Sequence, residues 1–285
     1  MRYLRLLGLF ARIELQFAIE YRADLALSLV EEIMIVFTSL VAVLILFSHT
    51  GVINGWTLGQ MIVLLGVYYI IQGAQGVLFE TSFERFMEQV RLGTLDFILI
   101  KPVDSQFMIS TRHIQVTHVG QLVLGGLVLV VGIGQVGEQI SIPSALSFAL
   151  TLVCGLLLVY SLLLVLSTLS FWFVRVENLL AIFWSFLDAG RFPVDLYPGW
   201  LRVTLSTVVP IGIAVTVPAQ AIVYRTDQSG VYALDAADHV HFRPVRTGER
   251  VGDMVEVLGG LNAGERIVAQ GAGFLSDGDL VRVSR

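Results

Sequence analysis

The sequence predicts a mainly α, polytopic helical membrane protein of about five spans with a re-entrant or interfacial segment, followed by a small all-β C-terminal domain. Three observations carry that expectation. Mean hydropathy is +0.79, with 55% hydrophobic and only 14% charged residues, outside the range of an ordinary soluble domain. Four runs are apolar over the roughly 20 residues that a helix needs to cross a hydrocarbon core. Charge is unevenly spread: residues 1–217 hold 11 of the 18 Lys and Arg, whereas the final 68 residues hold the other 7 and 9 of the 23 acids. The expected boundary therefore falls at Pro218, giving a membrane domain, 1–217, and a β domain, 218–285.

The elements follow in chain order. Leu4, Leu7, Ala11, Leu15 and Ala18 recur at helical spacing with Arg5 and Arg12 off that stripe, which describes a helix in the membrane interface or an early start to the first span. Arg5, Arg12, Glu14, Glu20 and Arg22 interrupt this segment, so it offers no apolar core of a cleavable signal. The four clear spans are Leu25–Phe47, Leu58–Phe79, Val116–Ile133 and Ser144–Val174. A fifth, Asn178 to about Leu187, is short and leads into Asp188 and the string Arg191-Phe-Pro193-Val-Asp195-Leu-Tyr-Pro198-Gly-Trp200. Val203–Val217 is also short and contains Pro210 and Gly212, as a re-entrant hairpin, or a span followed by an interfacial helix, would. Gln72, Gln75, Gly73 and Gly76 read as helix-packing residues.

Lys and Arg set the orientation. With the N-terminus inside, nine fall on the inner side (Arg2, Arg5, Arg12, Arg22, Arg85, Arg91, Lys101, Arg112, Arg175) and two on the outer (Arg191, Arg202). Trp56 and Trp200 are then expected at the outer interface and Trp172 at the inner one, with the β domain outside. Among charges near the spans, Glu31 and Glu32 lie either at the inner edge of the first span or in a polar seam between helices, and Asp188 closes the fifth run.

Several function classes are excluded. A net charge of −5 without a basic cluster argues against a nucleic-acid surface. Gly132-Ile-Gly134-Gln-Val-Gly137 fits G-x-G-x-x-G but ends an apolar span, with no acid about 20 residues on, so it is expected to be an outer loop. The single lysine, Lys101, follows Leu-Ile, so no phosphate-binding loop is present, and no G-x-S-x-G elbow occurs. His113 and His118 have no partner at metal-ligand spacing, and the lone Cys154 can form no disulfide within the chain. No cofactor is expected in this chain.

The loop from Glu80 to Gln115 is the most informative. Phe83, Phe86, Met87 and Val90 share one helical face, Glu84, Glu88 and Arg91 surround the other, and Gly93 stands where a C-terminal cap belongs. The stretch Gly93-Thr94-Leu-Asp96-Phe-Ile-Leu-Ile-Lys101-Pro102-Val-Asp104-Ser105-Gln-Phe107 resembles the loop between the second and third spans in permeases of type 2 ABC exporters. Arg191–Arg202 and the following VVPIGIAVTVPAQA resemble the same family, over about residues 1–221. The resemblance implies a bacterial inner-membrane permease of unassigned substrate that pairs with a second permease chain, in contact with membrane lipid. It implies that a separate ATPase subunit, binding ATP and Mg, presses on Glu84, Arg85, Glu88, Arg91 and the turn from Gly93 to Ser105. Family members continue after VPAQA into a final span, which is expected to be missing here.

Beyond Pro218, apolar or alternating segments are split by Gly-, Asp- and Asn-rich turns, reading as strands at Ala221–Tyr224, Val231–Leu234, Val240–Val245, Met254–Leu258, Arg266–Ala269 and Leu280–Val283. The ordered motifs VYxLD, FRPVxxG, VEVLxGLxxGERIV and LxDGDxVRV resemble the C-terminal, membrane-proximal part of periplasmic adaptor (membrane-fusion) subunits of tripartite efflux pumps. This implies a docking surface for efflux-pump components and a second possible role, a membrane-anchored adaptor fragment. Both resemblances share VPAQA, so a join is expected at Val217–Arg225, through gene recombination or through misassembly of two reads, and a nonfunctional fusion is the third reading.

Overall fold

The computed structural model describes residues 2–136, 142–173, 177–223, 230–235, 239–251, 254–261 and 265–268. The chain divides into two compact units, one of Met1–Ser48 with Leu58–Val223 and one of His49–Thr57 with Tyr224–Arg285.

The first unit is helical. Helix α1 (Arg2–Glu20) ends at Tyr21 and α2 (Arg22–Phe47) forms the first span. Leu7, Ala11 and Ala18 of the expected α1 stripe are half-buried, but Leu15 is exposed. The second span begins as α3 (Leu58–Gln75), passes through one π-helical turn, Gly76–Glu80, and continues as α4 (Thr81–Leu92). These form a single run of 35 residues. Short helices α5 (Asp96–Leu99) and α6 (Ser105–Thr111) precede the third span, a 3-10 turn at Val116–His118 leading into α7 (Val119–Val136). The fourth span is α8 (Ile142–Thr168) with a 3-10 turn at Leu169–Phe171.

The glycine motif expected to lie in an outer loop is helical at Gly132 and Gly134, while Gly137 lies outside the described residues. The reason is packing. A Cβ on Gly132 would stand 2.6 Å from the Val63 backbone nitrogen, one on Gly66 2.5 Å from that of Leu129, and one on Gly125 2.7 Å from that of Ile70. Gly59, Gly66 and Gly73 on α3, and Gly125 and Gly132 on α7, repeat every seven residues, so each helix presents a smooth edge on which the other backbone rests. Helix α3 is the core of the bundle, with every residue from Met61 to Tyr69 buried.

The last part of the unit is broken. Helix α9 (Glu177–Ala189) is too short to span, a loop follows, and α10 (Gly199–Val203) continues as a π turn to Val208. After Val209-Pro210 the chain bends by 86° into α11 (Ile211–Val223). Four helices are long enough to cross a membrane, or five if this bent pair is one span. Helix α11 runs through Pro218, so Ala221–Val223, expected as strand, are helical, and Tyr224 lies outside the described residues. Pro218 leaves the Ala214 carbonyl without its helical donor. That carbonyl packs on Gly155 of α8, where a Cβ would approach to 2.5 Å.

The second unit is built of hairpins. Strands β1 (Val52–Ile53) and β2 (Trp56–Thr57) turn at Asn54-Gly55, both at positive φ, 48° and 83°. This Asn-Gly turn is the strongest short hairpin signal. Trp56 is 2% exposed, so its ring is not offered to the bilayer interface as expected, whereas Trp172 and Trp200 are exposed. Strand β3 (Gly230–Leu234) pairs antiparallel with β4 (Val240–Pro244), placing Tyr232 opposite Phe242. Strand β5 (Arg246–Val251), within which Gly248-Glu249-Arg250 is expected as a turn, pairs with β6 (Met254–Gly259) through two register shifts. The expected strand at Arg266 is reduced to a bridge between Ala233 and Ile267, locked by the Leu234 amide donating to the Arg266 carbonyl at 2.9 Å. Leu280–Val283 lies outside the described residues.

Candidate functional site

Helix α4 carries the second span out past its apolar part. Phe83, Phe86 and Met87 are buried while Glu84, Arg85, Glu88 and Arg91 are exposed, as the periodicity predicted. Gly93 at φ 69° ends the helix, its amide donating to the Val90 carbonyl at 3.2 Å and the Thr94 amide to Gln89 at 2.9 Å. The turn that follows contains α5, with Asp96 exposed at its start. Lys101 and Pro102 lie in the bend after it. Asp104 caps α6, its carboxylate accepting from the Phe107 amide at 2.8 Å ahead of Ser105.

This tip is fixed to the spans. The π turn frees the Val77 carbonyl, and the Gln115 amide donates to it at 3.0 Å. The Ser82 hydroxyl donates to the His113 carbonyl at 3.1 Å and accepts from its amide at 3.0 Å. Gln106 donates to the Tyr160 hydroxyl of α8 at 3.0 Å. The His113 imidazole stands 3.8 Å from the Glu14 carboxylate, yet burial, helped by the Arg85 and Arg112 guanidiniums, pushes its pKa down to about 4. A groove of about 750 Å³ lies between α4, the end of α8 and the start of α9. Its charged wall is Glu84, Arg85, Glu88 and Arg91, and its apolar wall includes Met87, Phe171, Leu180 and Trp184. Sequence reasoning missed the exposed apolar residues at the end of α4 and in the turn after it, Leu92, Phe97, Leu99 and Ile100. The signal was present as an apolar run in a loop with no span to bury it.

The other candidate residues separate into two places. Glu31 is exposed, whereas Glu32 is 8% exposed and faces His118 across 3.5 Å, so the two neighbours do not act together. Gly120 leaves room for the Glu32 carboxylate, and Gln121 donates to Gln72 at 2.9 Å nearby. Asp188, at the end of α9, accepts from the Tyr68 hydroxyl at 2.8 Å and from Arg191 at 3.0 Å. Arg191 also donates through Nε to that hydroxyl at 3.2 Å. Asp195 lies near Arg202 at 4.0 Å, Pro193 is buried, and Pro198 and Trp200 are exposed. Among the described residues no group of three His, Cys, Asp or Glu side chains could hold a metal ion.

The fold and site define a polytopic helical membrane protein whose second span extends into a charged helix and an exposed turn. A family model described as ABC-2 family transporter protein matches residues 33–236, well over half of the chain, and the chain belongs to that family. A second model, described as YknX, C-terminal permuted SH3-like domain, matches residues 214–283, so the C-terminal part is similar to an adaptor-type domain. The two matches overlap over residues 214–236, which include the VPAQA shared by both sequence resemblances. No curated protein and no solved structure matches the chain.

Proposed function

We propose that this chain is the permease subunit of an ABC exporter, moving its substrate across a bacterial inner membrane with ATP and Mg bound and hydrolysed by a separate subunit. It works paired with a second permease chain, identical or related. The observation that carries this reading is the continuity of the second span with α4: 35 residues of one helix are about 52 Å long, some 20 Å more than a hydrocarbon core. A push on the projecting end therefore reaches α3, the helix at the centre of the bundle. Glu84, Arg85, Glu88 and Arg91 line the groove for a partner segment, and the turn from Gly93 to Ser105 offers both charge and exposed apolar side chains. The excess of Lys and Arg on this side supports a cytoplasmic tip, with the β part on the opposite side.

A second reading is supported by the adaptor-type match over 214–283: the helical part anchors a docking module of an efflux assembly, or the two halves form a nonfunctional fusion. Co-purification with a candidate ATPase subunit separates these readings. The permease reading expects capture by the natural chain and weak capture by a variant with Asp96, Lys101 and Asp104 changed to Ala. Capture by neither moves the assignment to the anchored adaptor or the fusion.

A further inference from the structure

We infer that residues 113–115 form a strap that locks the start of the third span onto the second, so that a displacement of the tip moves both spans together, with Ser82 and Gln115 as its positioning residues. The inference rests on the permease reading and deepens it. Inside a regular α-helix each carbonyl already accepts from the amide four residues on, so a crossing chain finds no free acceptor. The π turn at Gly76–Glu80 breaks that rule and leaves the Val77 carbonyl to the Gln115 amide, at 3.0 Å. Gln115 is extended, φ −94° and ψ 101°, and its side-chain carbonyl accepts from the Thr81 hydroxyl. Two residues earlier, both backbone groups of His113 bond the hydroxyl of Ser82, which is 2% exposed, at 3.0 and 3.1 Å. The strap therefore lands where α3 passes into α4, and the bulge in the second span supplies its acceptor.

The third span starts at the next residue, Val116. From there its helix lies against α3 without a gap. A Cβ on Gly76 would stand 2.8 Å from the His118 ring and one on Gly73 2.7 Å from the Leu122 backbone nitrogen, continuing the contacts of Gly66 and Gly132 farther along. Backbones packed this closely pass on a displacement instead of absorbing it. The covalent route from the tip is softer, because residues 112–115, after α6, are not helical. Held only by that linker, the third span would stay behind when the tip moved. The strap closes this slack with a contiguous hydrogen-bonded connection between α4 and the start of α7.

Two independent variants open the strap: Ser82→Ala with Gln115→Ala, and a deletion of Leu78 that closes the π turn into α-helix. Both leave the charged face of α4 in place and keep α6 bonded to Tyr160 of α8 through Gln106 and Ser110, so the tip still captures a candidate ATPase subunit. In the chain alone, in lipid nanodiscs, amide exchange across residues 113–119 is expected to be about tenfold faster than in the natural chain. With the ATPase subunit added, both variants are expected to be captured as the natural chain is, yet to leave hydrolysis at the rate of the ATPase alone. A strap that only supported the fold would not separate capture from stimulation in this way. Unchanged exchange, full stimulation despite faster exchange, or loss of capture overturns the inference and leaves the permease reading standing. A natural chain that neither captures nor stimulates the ATPase removes the permease reading, and the inference with it.

Discussion

Single residues in this protein matter chiefly where two backbones touch. Gly66 and Gly126 occupy comparable apolar helices, but a Cβ on Gly66 would meet Leu129 backbone at 2.5 Å and one on Gly126 would meet nothing within 4 Å. Gly66→Ala is expected to cost about 1–3 kcal/mol by overpacking and Gly126→Ala to be neutral, read as thermal midpoints in detergent. His113 gives a pH dependence with a definite sign. Its folded pKa of about 4 lies below the ordinary 6.5, so between those values the unfolded chain binds a proton that the folded chain does not. Its contribution to stability is present above pH 6.5 and is lost as pH falls toward 4. The thermal midpoint should drop across that window, and less so in His113→Gln.

At the scale of elements, hydropathy and cap chemistry made most of the first unit legible. The four spans, the charged and apolar faces of α4 and the stop at Gly93 follow from composition, period and one left-handed glycine. Asp104→Ala should loosen α6 by about 1 kcal/mol through its lost cap, measured as faster amide exchange at Phe107. What stayed hidden depends on partners distant in sequence. Nothing around Asp188 announces Tyr68, 120 residues earlier, because the contact exists only once α9 docks on α3. Arg246–Val251 was missed because Arg-Thr-Gly-Glu-Arg-Val has no alternation, its pairing with β6 being broken by register shifts. Ala221–Val223 misled for the opposite reason: a short apolar run fits strand or helix equally, and the packing of Ala214 on Gly155 extends the helix past Pro218.

On the scale of the whole molecule, two families meet in one chain across residues 214–236, and helix α11 runs through the first part of that overlap, to Val223. The proposed topology puts the β residues on the extracytoplasmic side of the membrane. Leu258 is 67% exposed, so Leu258→Cys in a Cys154→Ala background should react with a membrane-impermeant maleimide on intact spheroplasts, whereas labelling only after lysis would reverse the orientation. In the proposed mechanism the tip beyond α4 receives work from an ATPase. Its most direct test is ATP hydrolysis by a candidate ATPase subunit in proteoliposomes, with and without the permease. The natural chain is expected to stimulate hydrolysis several-fold, and Phe97→Asp with Ile100→Asp, two exposed changes that leave the core untouched, to abolish the stimulation. Equal stimulation by that variant, or none by the natural chain, would contradict it.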